Sequence, residues 1–368
     1  MLAAAPRTGV QAGNKSRRSQ TLAEAVLPLP PACADPAVML KIDTHTHILP
    51  PDWPDLASRF GDDRFPVLRV EEGRHNIYRG GRFFRQIQPN AWDADLRMAQ
   101  YASFGIERQV VSTVPVMFCY WAEGQAALVL HQHLNDHLAG LQRDHPGRYV
   151  GLATVPLQDP VLACAELERS VVELGLAGVQ IGSHVDLWNL DAPELADFFA
   201  TAERLGASVL IHPWDMMGTE TMPKYWMPWL VGMPAEQSRA ACALIFGGVL
   251  ERHPELRIAF AHGGGSFPYT LGRIEHGFRM RPDLVAIDNP HPPSHYLSRL
   301  YFDCCVHDDR ALRYLLDTVG SSQVMLGTDY PFPLGEQEPG SSIERLALPQ
   351  AEQEALFHDN ALRWLNQS

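Results

Sequence analysis

Eight short apolar segments recur along this chain, and most of the stretches between them are long enough to form a helix. The segments are rich in Val, Ile and Leu and mostly apolar in their first halves, which is typical of parallel strands buried on both faces. The predicted strands span residues 40–48, 109–116, 149–157, 178–184, 207–213, 257–262, 300–306 and 323–329. The predicted helices include residues 93–104, 122–142, 160–174, 193–205, 234–252 and 308–319.

Strands that alternate with helices eight times predict an α/β protein of the (β/α)8 TIM-barrel class. The alternative is an open, doubly wound sheet, which usually carries a Gly-rich phosphate loop after its first strand. No such loop follows residue 48. The barrel is therefore the favoured fold.

Two parts of the chain lie outside this repeating pattern. Residues 1–38 are rich in Ala, Pro and Ser and carry no acidic residue before Glu24, so we predict a disordered N-terminal extension ahead of a barrel over residues 39–368. The long connection 49–92 contains the run HNIYRGGRFFRQI, in which two adjacent glycines separate two alternating segments. This pattern predicts a small β insertion over the active-site mouth, between strand 1 and its helix.

Composition narrows the possible partners and cofactors. The chain has 30 basic and 43 acidic residues and a net charge of −13, which argues against nucleic acid or an anionic membrane as a partner. Its six cysteines form no CxxC pair, and no apolar run reaches the length of a membrane span, so we expect a cytoplasmic protein with reduced thiols. With only three lysines, a Schiff-base cofactor has few places to attach, and we predict no organic cofactor.

Polar side chains interrupt the predicted strands at their carboxyl ends. His45 and His47 end the first strand, His212 the fifth and His262 the sixth, and Asp329 ends the eighth. In a parallel barrel these ends meet at one mouth, and residues at i and i+2 of a strand point to the same side. Each residue alone is a weak signal, but together they predict a single Zn2+ held by three imidazoles and one carboxylate.

Three glycines follow His262, which gives this histidine a different character. If His45, His47, His212 and Asp329 complete the metal shell, His262 is best placed as a general acid or base beside it. The glycines allow backbone and substrate to approach closely. A fourth histidine ligand, or a hydrogen bond to Asp329, remains an alternative role for His262.

Several blocks of the sequence resemble a known family. KIDTHTHILPPDWPDL, GVQIGSHV, HPWDM, KYWMPWLVGMPAE, AHGGGSFPYTLGRIEHGF and LGTDYPFPLGE are similar to the 2-amino-3-carboxymuconate-6-semialdehyde decarboxylases of the amidohydrolase superfamily. The resemblance runs from about residue 39 to the C-terminus. It implies a carboxy-lyase with one zinc per subunit that forms 2-aminomuconate 6-semialdehyde in tryptophan catabolism through the kynurenine pathway.

The resemblance also assigns roles to single residues. It implies that His45, His47, His212 and Asp329 bind zinc, and that His262 activates a zinc-bound water that adds to the conjugated substrate before CO2 is lost. Asp329 is also a candidate proton relay.

For the dicarboxylate substrate, the resemblance implies that Arg85 binds one carboxylate. Arg273 is expected to reach the site of the neighbouring subunit, which predicts a homodimer. Trp226 and Phe332 are expected to form aromatic walls.

Other functions remain open at this stage. A related metal-dependent decarboxylase or hydratase could act on a benzoate or an oxo-dicarboxylate with the same barrel and ligands. A hydrolase of cyclic amides or lactones is a further alternative, and a metal-binding scaffold without activity is the non-enzymatic one.

Overall fold

Eight parallel strands follow one another around a barrel in the computed structural model, which describes residues 40–367. In chain order the strands are β1 Lys41–His47, β2 Val67–Glu71, β3 Arg74–Arg79, β4 Arg82–Ile87, β5 Ile106–Ser112, β6 Tyr149–Ala153, β7 Gly178–Gly182, β8 Ser208–His212, β9 Arg257–Phe260, β10 Leu300–Asp303 and β11 Val324–Met325. The barrel order is β1-β5-β6-β7-β8-β9-β10-β11. Backbone hydrogen bonds from Thr44 to Leu326 (2.9 Å) and from His47 to Tyr330 (2.7 Å) bring the last segment back to β1. The predicted barrel is confirmed.

Helices connect the barrel strands. They are α1 Leu56–Phe60, α2 Ala94–Ala102, α3 Gly124–Asp144, α4 Pro160–Glu168, α5 Ala196–Leu205, α6 Met233–Phe246, α7 Val249–Arg252, α8 Phe267–Met280, α9 Pro282–Val285, α10 Asp309–Val319, α11 Ser341–Arg345, α12 Gln350–Glu354 and α13 Asn360–Trp364. Four begin at aspartates that accept hydrogen bonds from first-turn backbone N–H groups, namely Asp55, Asp93, Asp159 and Asp308. Each predicted segment contains a helix. Helix α8 is an addition to the six, and its glycines at 272 and 277 weaken the helical pattern.

The strands are shorter than predicted at their carboxyl ends. The eighth predicted strand spans residues 323–329, but only Val324 and Met325 pair as a strand. The chain then bends, and Asp329 adopts a left-handed backbone conformation with φ of 61°. His47 and His212 are the last residues of β1 and β8, whereas His262 and Asp329 lie beyond the ends of β9 and β11 and turn into the mouth.

The connection between β1 and α2 carries a separate antiparallel sheet. Strands β2, β3 and β4 pair in that order, and Gly80 and Gly81 form the β3–β4 turn with φ of 58° and 68°. The predicted β insertion is confirmed, with one strand more than a simple hairpin. A guanidinium nitrogen of Arg79, at the end of β3, lies 3.8 Å from Oδ1 of Asp215, in the loop that follows β8. The insertion therefore contacts the rim of the barrel mouth.

Two predictions concern residues or properties that the structure leaves untested. The proposed extension over residues 1–38 lies outside the described residues, as does Cys33, whereas the five cysteines in the described part carry free thiols. Among residues 40–367, no helix combines the length and the apolar character that crossing a bilayer requires. The cytoplasmic location stays a prediction.

Candidate metal centre

Five side chains from four parts of the barrel meet at its carboxyl-terminal mouth. The ring centroid of His45 lies 5.0 Å from that of His47, 5.1 Å from that of His212 and 5.3 Å from that of His262. One Asp329 oxygen, Oδ1, is 3.1 Å from His47 Nε2, and the other is 3.6 Å from His262 Nε2. The structure therefore brings together all five residues that the strand ends predict.

The geometry includes His262 among the groups close enough to share an ion. Ligand atoms of His45, His212, His262 and Asp329 all lie within 4.8 Å of one another. Nε2 of His47 lies next to these four ligand atoms, 3.2 Å from Nε2 of His45. Both roles considered for His262, a ligand or an acid/base group beside the ligands, are compatible with this arrangement.

Hydrogen bonds to neighbouring carbonyl groups determine which ring nitrogen carries the proton in His47 and in His212. Nδ1 of His47 donates to the carbonyl oxygen of Thr113 at 2.9 Å, and Nδ1 of His212 donates to that of Pro213 at 3.0 Å. A carbonyl only accepts hydrogen bonds, so each Nδ1 carries the proton and each Nε2 of the neutral ring presents a lone pair. Nε2 of His212 is buried without a hydrogen-bond partner among the described residues.

Asp303, at the end of β10, completes this pattern and was not predicted. Its Oδ2 accepts from Nδ1 of His45 at 2.7 Å and from the backbone N–H of His262 at 2.8 Å, and its Oδ1 accepts from the backbone N–H of Gly263 at 2.8 Å. It therefore directs the Nε2 lone pair of His45 toward the others. A charged residue in the middle of the seventh predicted strand, residues 300–306, was the available sequence signal.

These lone pairs make the site a good fit for a cation. Nε2 of His45 and Nε2 of His47 face each other at 3.2 Å, and in the neutral rings, with the proton on Nδ1, both present lone pairs. Two lone pairs at that distance repel unless a positive charge lies between or beside them. The Asp329 carboxylate at 3.1 Å adds a hard oxygen ligand, so the donor set suits Zn2+ or a similar divalent ion.

Burial and mutual charge set the pKa values in the cluster. Burial, and then the neighbouring histidines, hold the pKa of His212 well below its usual value, and burial also lowers the pKa of His47. Burial alone would raise the pKa of Asp329, but the neighbouring His262 and His47 keep it well below the usual range. For His45, burial opposes a charge, yet the hydrogen bond to Asp303 leaves its pKa raised.

The turn at His262 requires glycine. His262, Gly263 and Gly264 have φ values of 55°, 59° and 74°, in the left-handed region. A Cβ atom on Gly263 would lie 2.4 Å from Val306, and one on Gly264 would lie 2.8 Å from the ring of Phe302. The three glycines thus let this turn pack onto β10 and hold the imidazole of His262 at the rim.

A cleft of about 450 Å³ opens beside the histidine cluster. Arg85 and Phe84 enter it from β4, and Phe332 and Trp226 lie on its walls. The guanidinium of Arg85 lies over the Phe332 ring at 4.6 Å, and that ring is 5.6 Å from the ring of His47. The positions of these three predicted substrate-binding residues suit their predicted roles.

Arg273 lies elsewhere. It is exposed on α8 and does not line the cleft of its own chain. The apolar residues that line the cleft and were not predicted include Trp214, Trp229 and Met233. Trp214 stands two residues after His212, and Trp229 is near Trp226, so the HPWDM and KYWMPW blocks already contained them.

Sequence comparisons agree with this geometry. The amidohydrolase family matches residues 42–367. A protein named 2-amino-3-carboxymuconate-6-semialdehyde decarboxylase from Dictyostelium discoideum is 49% identical over 328 residues, covering 89% of this chain and 91% of that protein. A protein of the same name from Caenorhabditis elegans is 35% identical over 377 residues and covers 89% of this chain and 94% of its own length.

Solved structures share the fold. A 5-carboxyvanillate decarboxylase from Sphingomonas paucimobilis superposes with a TM-score of 0.74 at 22% identity, covering 90% of this chain and all of that chain (100%). A dihydroxybenzoic acid decarboxylase from Polaromonas sp. JS666, whose structure holds manganese and 2-nitroresorcinol, has a TM-score of 0.71 at 21% identity and covers 89% of this chain and 97% of its own.

Proposed function

This chain belongs to the amidohydrolase family, and we propose that it is a zinc-dependent carboxy-lyase that acts on 2-amino-3-carboxymuconate 6-semialdehyde. The product would be 2-aminomuconate 6-semialdehyde, in tryptophan catabolism through the kynurenine pathway. The observation that carries the metal dependence is the convergence of three imidazole lone pairs on Asp329. The substrate is proposed from the two relatives of that name, because a fold alone does not define a substrate.

In this proposal His45, His47, His212 and Asp329 hold one Zn2+ per chain. When bound, the ion supplies Lewis acidity that brings the pKa of a water molecule at the site to about 7. The chain's own contribution is to orient the ligands before the ion arrives, through the carbonyl partners of the histidines and through Asp303.

His262 then acts as the base. It takes a proton from water, and the hydroxide so formed adds to the conjugated double bond of the substrate. The proton returns to the carbon that bears the departing carboxylate. When that carbon–carbon bond breaks, CO2 leaves, the electron pair restores the double bond and hydroxide is released. Asp329, 3.6 Å from Nε2 of His262, is placed to assist the proton transfer.

Arg85 provides the positive charge that a dicarboxylate needs in an acidic protein. Its planar guanidinium can bind a carboxylate through two parallel hydrogen bonds. It reaches the cleft from β4, beside the histidine cluster. Trp226 and Phe332 would hold the unsaturated chain of the substrate between apolar walls.

Arg273 would act on the site of a second copy in a homodimer, which its exposure on α8 permits. Mixing the impaired Arg85→Ala and Arg273→Ala chains, assayed at low substrate concentration, tests this arrangement. If the sites are shared, each mixed dimer regains one intact site and activity returns. Absence of recovery after subunit exchange, measured with the wild-type chain as an exchange control, would argue against a contribution in trans.

Metal analysis combined with a substrate panel tests the function as a whole. Purified protein is expected to hold one Zn2+ in the cleft and to release CO2 from freshly generated 2-amino-3-carboxymuconate 6-semialdehyde. Release of CO2 only from 2-hydroxybenzoates would favour the related decarboxylase activity. Ring opening of a cyclic amide or lactone would favour a hydrolase, and bound zinc without turnover would favour a scaffold.

A further inference from the structure

We infer that Glu251, His291 and His295 form a second divalent-metal site, on the side of the barrel away from the substrate cleft. Each of the three offers one ligand atom, and these atoms lie within 4.8 Å of one another. Glu251 belongs to α7, which precedes β9, and the two histidines flank the start of the turn that leads into β10. The site therefore lies toward the amino-terminal ends of strands whose carboxyl ends form the catalytic mouth.

The two imidazoles lie in direct contact. The rings of His291 and His295 stack with centroids 4.6 Å apart and planes 18° from parallel. Nε2 of His291 is 4.0 Å from Oε1 of Glu251. Ligand atoms around a tetrahedral zinc lie about 3.4 Å apart, and the in-plane lone pairs of stacked rings do not converge, so these side chains must rotate to close the site. The side chains of His291 and Glu251 are 43% and 49% exposed and have room to make that rotation.

A buried polar pair holds the carboxylate and the histidine segment in place. The hydroxyl of Tyr296 lies 2.9 Å from Oε2 of Glu251 and 3.0 Å from Oδ1 of Asn289. The same Asn289 oxygen accepts from the backbone N–H of His291 at 3.0 Å. Tyr296 and Asn289 are fully buried. Partners of this kind orient the ligands of a metal site and raise its affinity.

The backbone between the two histidines adds rigidity. Pro292 follows His291, and Pro293 begins the 3-10 turn Pro293–Arg299, which carries His295. Each proline has a fixed φ, so this segment loses less conformational entropy when an ion orders it. Three residues separate the histidines, and their stacked rings show that both lie on the same side of the turn.

Two imidazoles and one carboxylate suit Zn2+ with water as the fourth ligand, and Co2+ and Ni2+ are accepted by the same donors. An ion here would join α7 to the turn before β10 and so stabilise the folded chain, because it binds the folded state and not the unfolded one. It would take no part in decarboxylation.

Equilibrium dialysis of the full chain against Zn2+ tests the site, with bound zinc measured by elemental analysis. The wild-type protein is expected to bind one more equivalent per chain than the double variant His291→Ala/His295→Ala. The control variant His358→Ala, which removes a comparably exposed histidine paired with Asp359, should bind as much as wild type. Because the result is a difference between variants, it does not depend on whether the catalytic site is filled.

Two further measurements guard against misfolding. The melting temperature without added metal should be equal for wild type and double variant, and added Zn2+ should raise it by about 2 °C more in wild type. Glu251→Gln keeps the size of the side chain, and it should lower the affinity for the additional Zn2+ at least tenfold. Equal zinc content in wild type and the double variant, with both folded, would overturn the inference.

Discussion

Two histidine clusters lie toward opposite ends of the barrel, and they differ in how tightly their side chains are held. At the mouth, the side chains of His45 and His47 are 0% and 1% exposed, and each Nδ1 is bound by a carboxylate or a carbonyl oxygen. At the other cluster, the side chain of His291 is 43% exposed and the fixed hydrogen bonds go to Glu251 and to backbone.

The comparison shows how far the ligand side chains of each cluster are already oriented before a metal ion binds. At the mouth the lone pairs already point inward, so binding costs little side-chain entropy. At the second cluster the two stacked imidazoles and the carboxylate must first rotate toward a common point. We therefore expect tight binding and chemistry at the mouth, and weaker, structural binding at the other cluster.

The largest effect should come from removing a ligand at the mouth. His212→Ala deletes the buried Nε2 that has no other partner among the described residues. We expect the catalytic zinc to be lost and decarboxylation to fall to background, measured by elemental analysis and CO2 release. The exposed-site variant His358→Ala serves as control. Full zinc content and activity in His212→Ala would remove this histidine from the metal site.

His262→Ala should separate metal binding from chemistry. If His262 is the base and not a ligand, zinc content stays at the wild-type level and the rate of CO2 release falls by about 10²–10⁴-fold. Loss of zinc together with activity would instead assign His262 to the ligands. The two outcomes distinguish the roles that the geometry leaves compatible.

Asp303→Asn tests the preparation of the mouth directly. A neutral amide cannot replace the carboxylate that accepts hydrogen bonds from Nδ1 of His45 and from three backbone N–H groups. Zinc affinity is expected to fall by about 10–100-fold, as for other groups that orient a ligand. The measurement is competition with a chelator at constant pH. An unchanged affinity would show that burial alone orients His45.

Arg85→Ala should act on the substrate and leave the metal in place. Loss of a charge-assisted contact to a carboxylate costs about 1.5–3 kcal/mol, which corresponds to a rise in KM of about 10–150-fold. Zinc content should not change. The matched control is Arg82→Ala, an exposed arginine on the same strand, which should leave KM unchanged. Equal effects of the two variants would indicate a general electrostatic role.

The smallest effect is expected from Glu251→Gln at the second cluster. Because Glu251 lies away from the substrate cleft, kcat and KM should remain within about twofold of wild type, as is usual for surface changes that touch no special feature. Steady-state kinetics at saturating zinc measure this. A marked loss of activity would show that the two ends of the barrel are coupled.

Much of the barrel and of the mouth could be predicted because both follow from local patterns. The apolar segments reveal buried parallel strands, and a polar residue at the end of such a strand must lie at the mouth. His45, His212 and Asp329 were found in this way although they are far apart in sequence. The β insertion followed from two adjacent glycines between alternating runs.

Other features depend on three-dimensional context. Asp303 ends a strand as the ligands do, but its contacts with His45 and with the backbone of His262 arise only when three strands come together. Helix α8 is obscured by its glycines. The site of action of Arg273 depends on a second chain, so it stays a prediction.

The insertion shows no backbone pairing with the barrel: β2, β3 and β4 form their own sheet. Arg85 is thus carried by a module whose main-chain hydrogen bonds are independent of those that hold His45 or His212. Replacement of residues 67–87 by the corresponding segment of another decarboxylase is therefore expected to change which carboxylic acids bind. The metal centre on the barrel strands should stay the same. In such a protein, recognition and reactivity can diversify at different speeds.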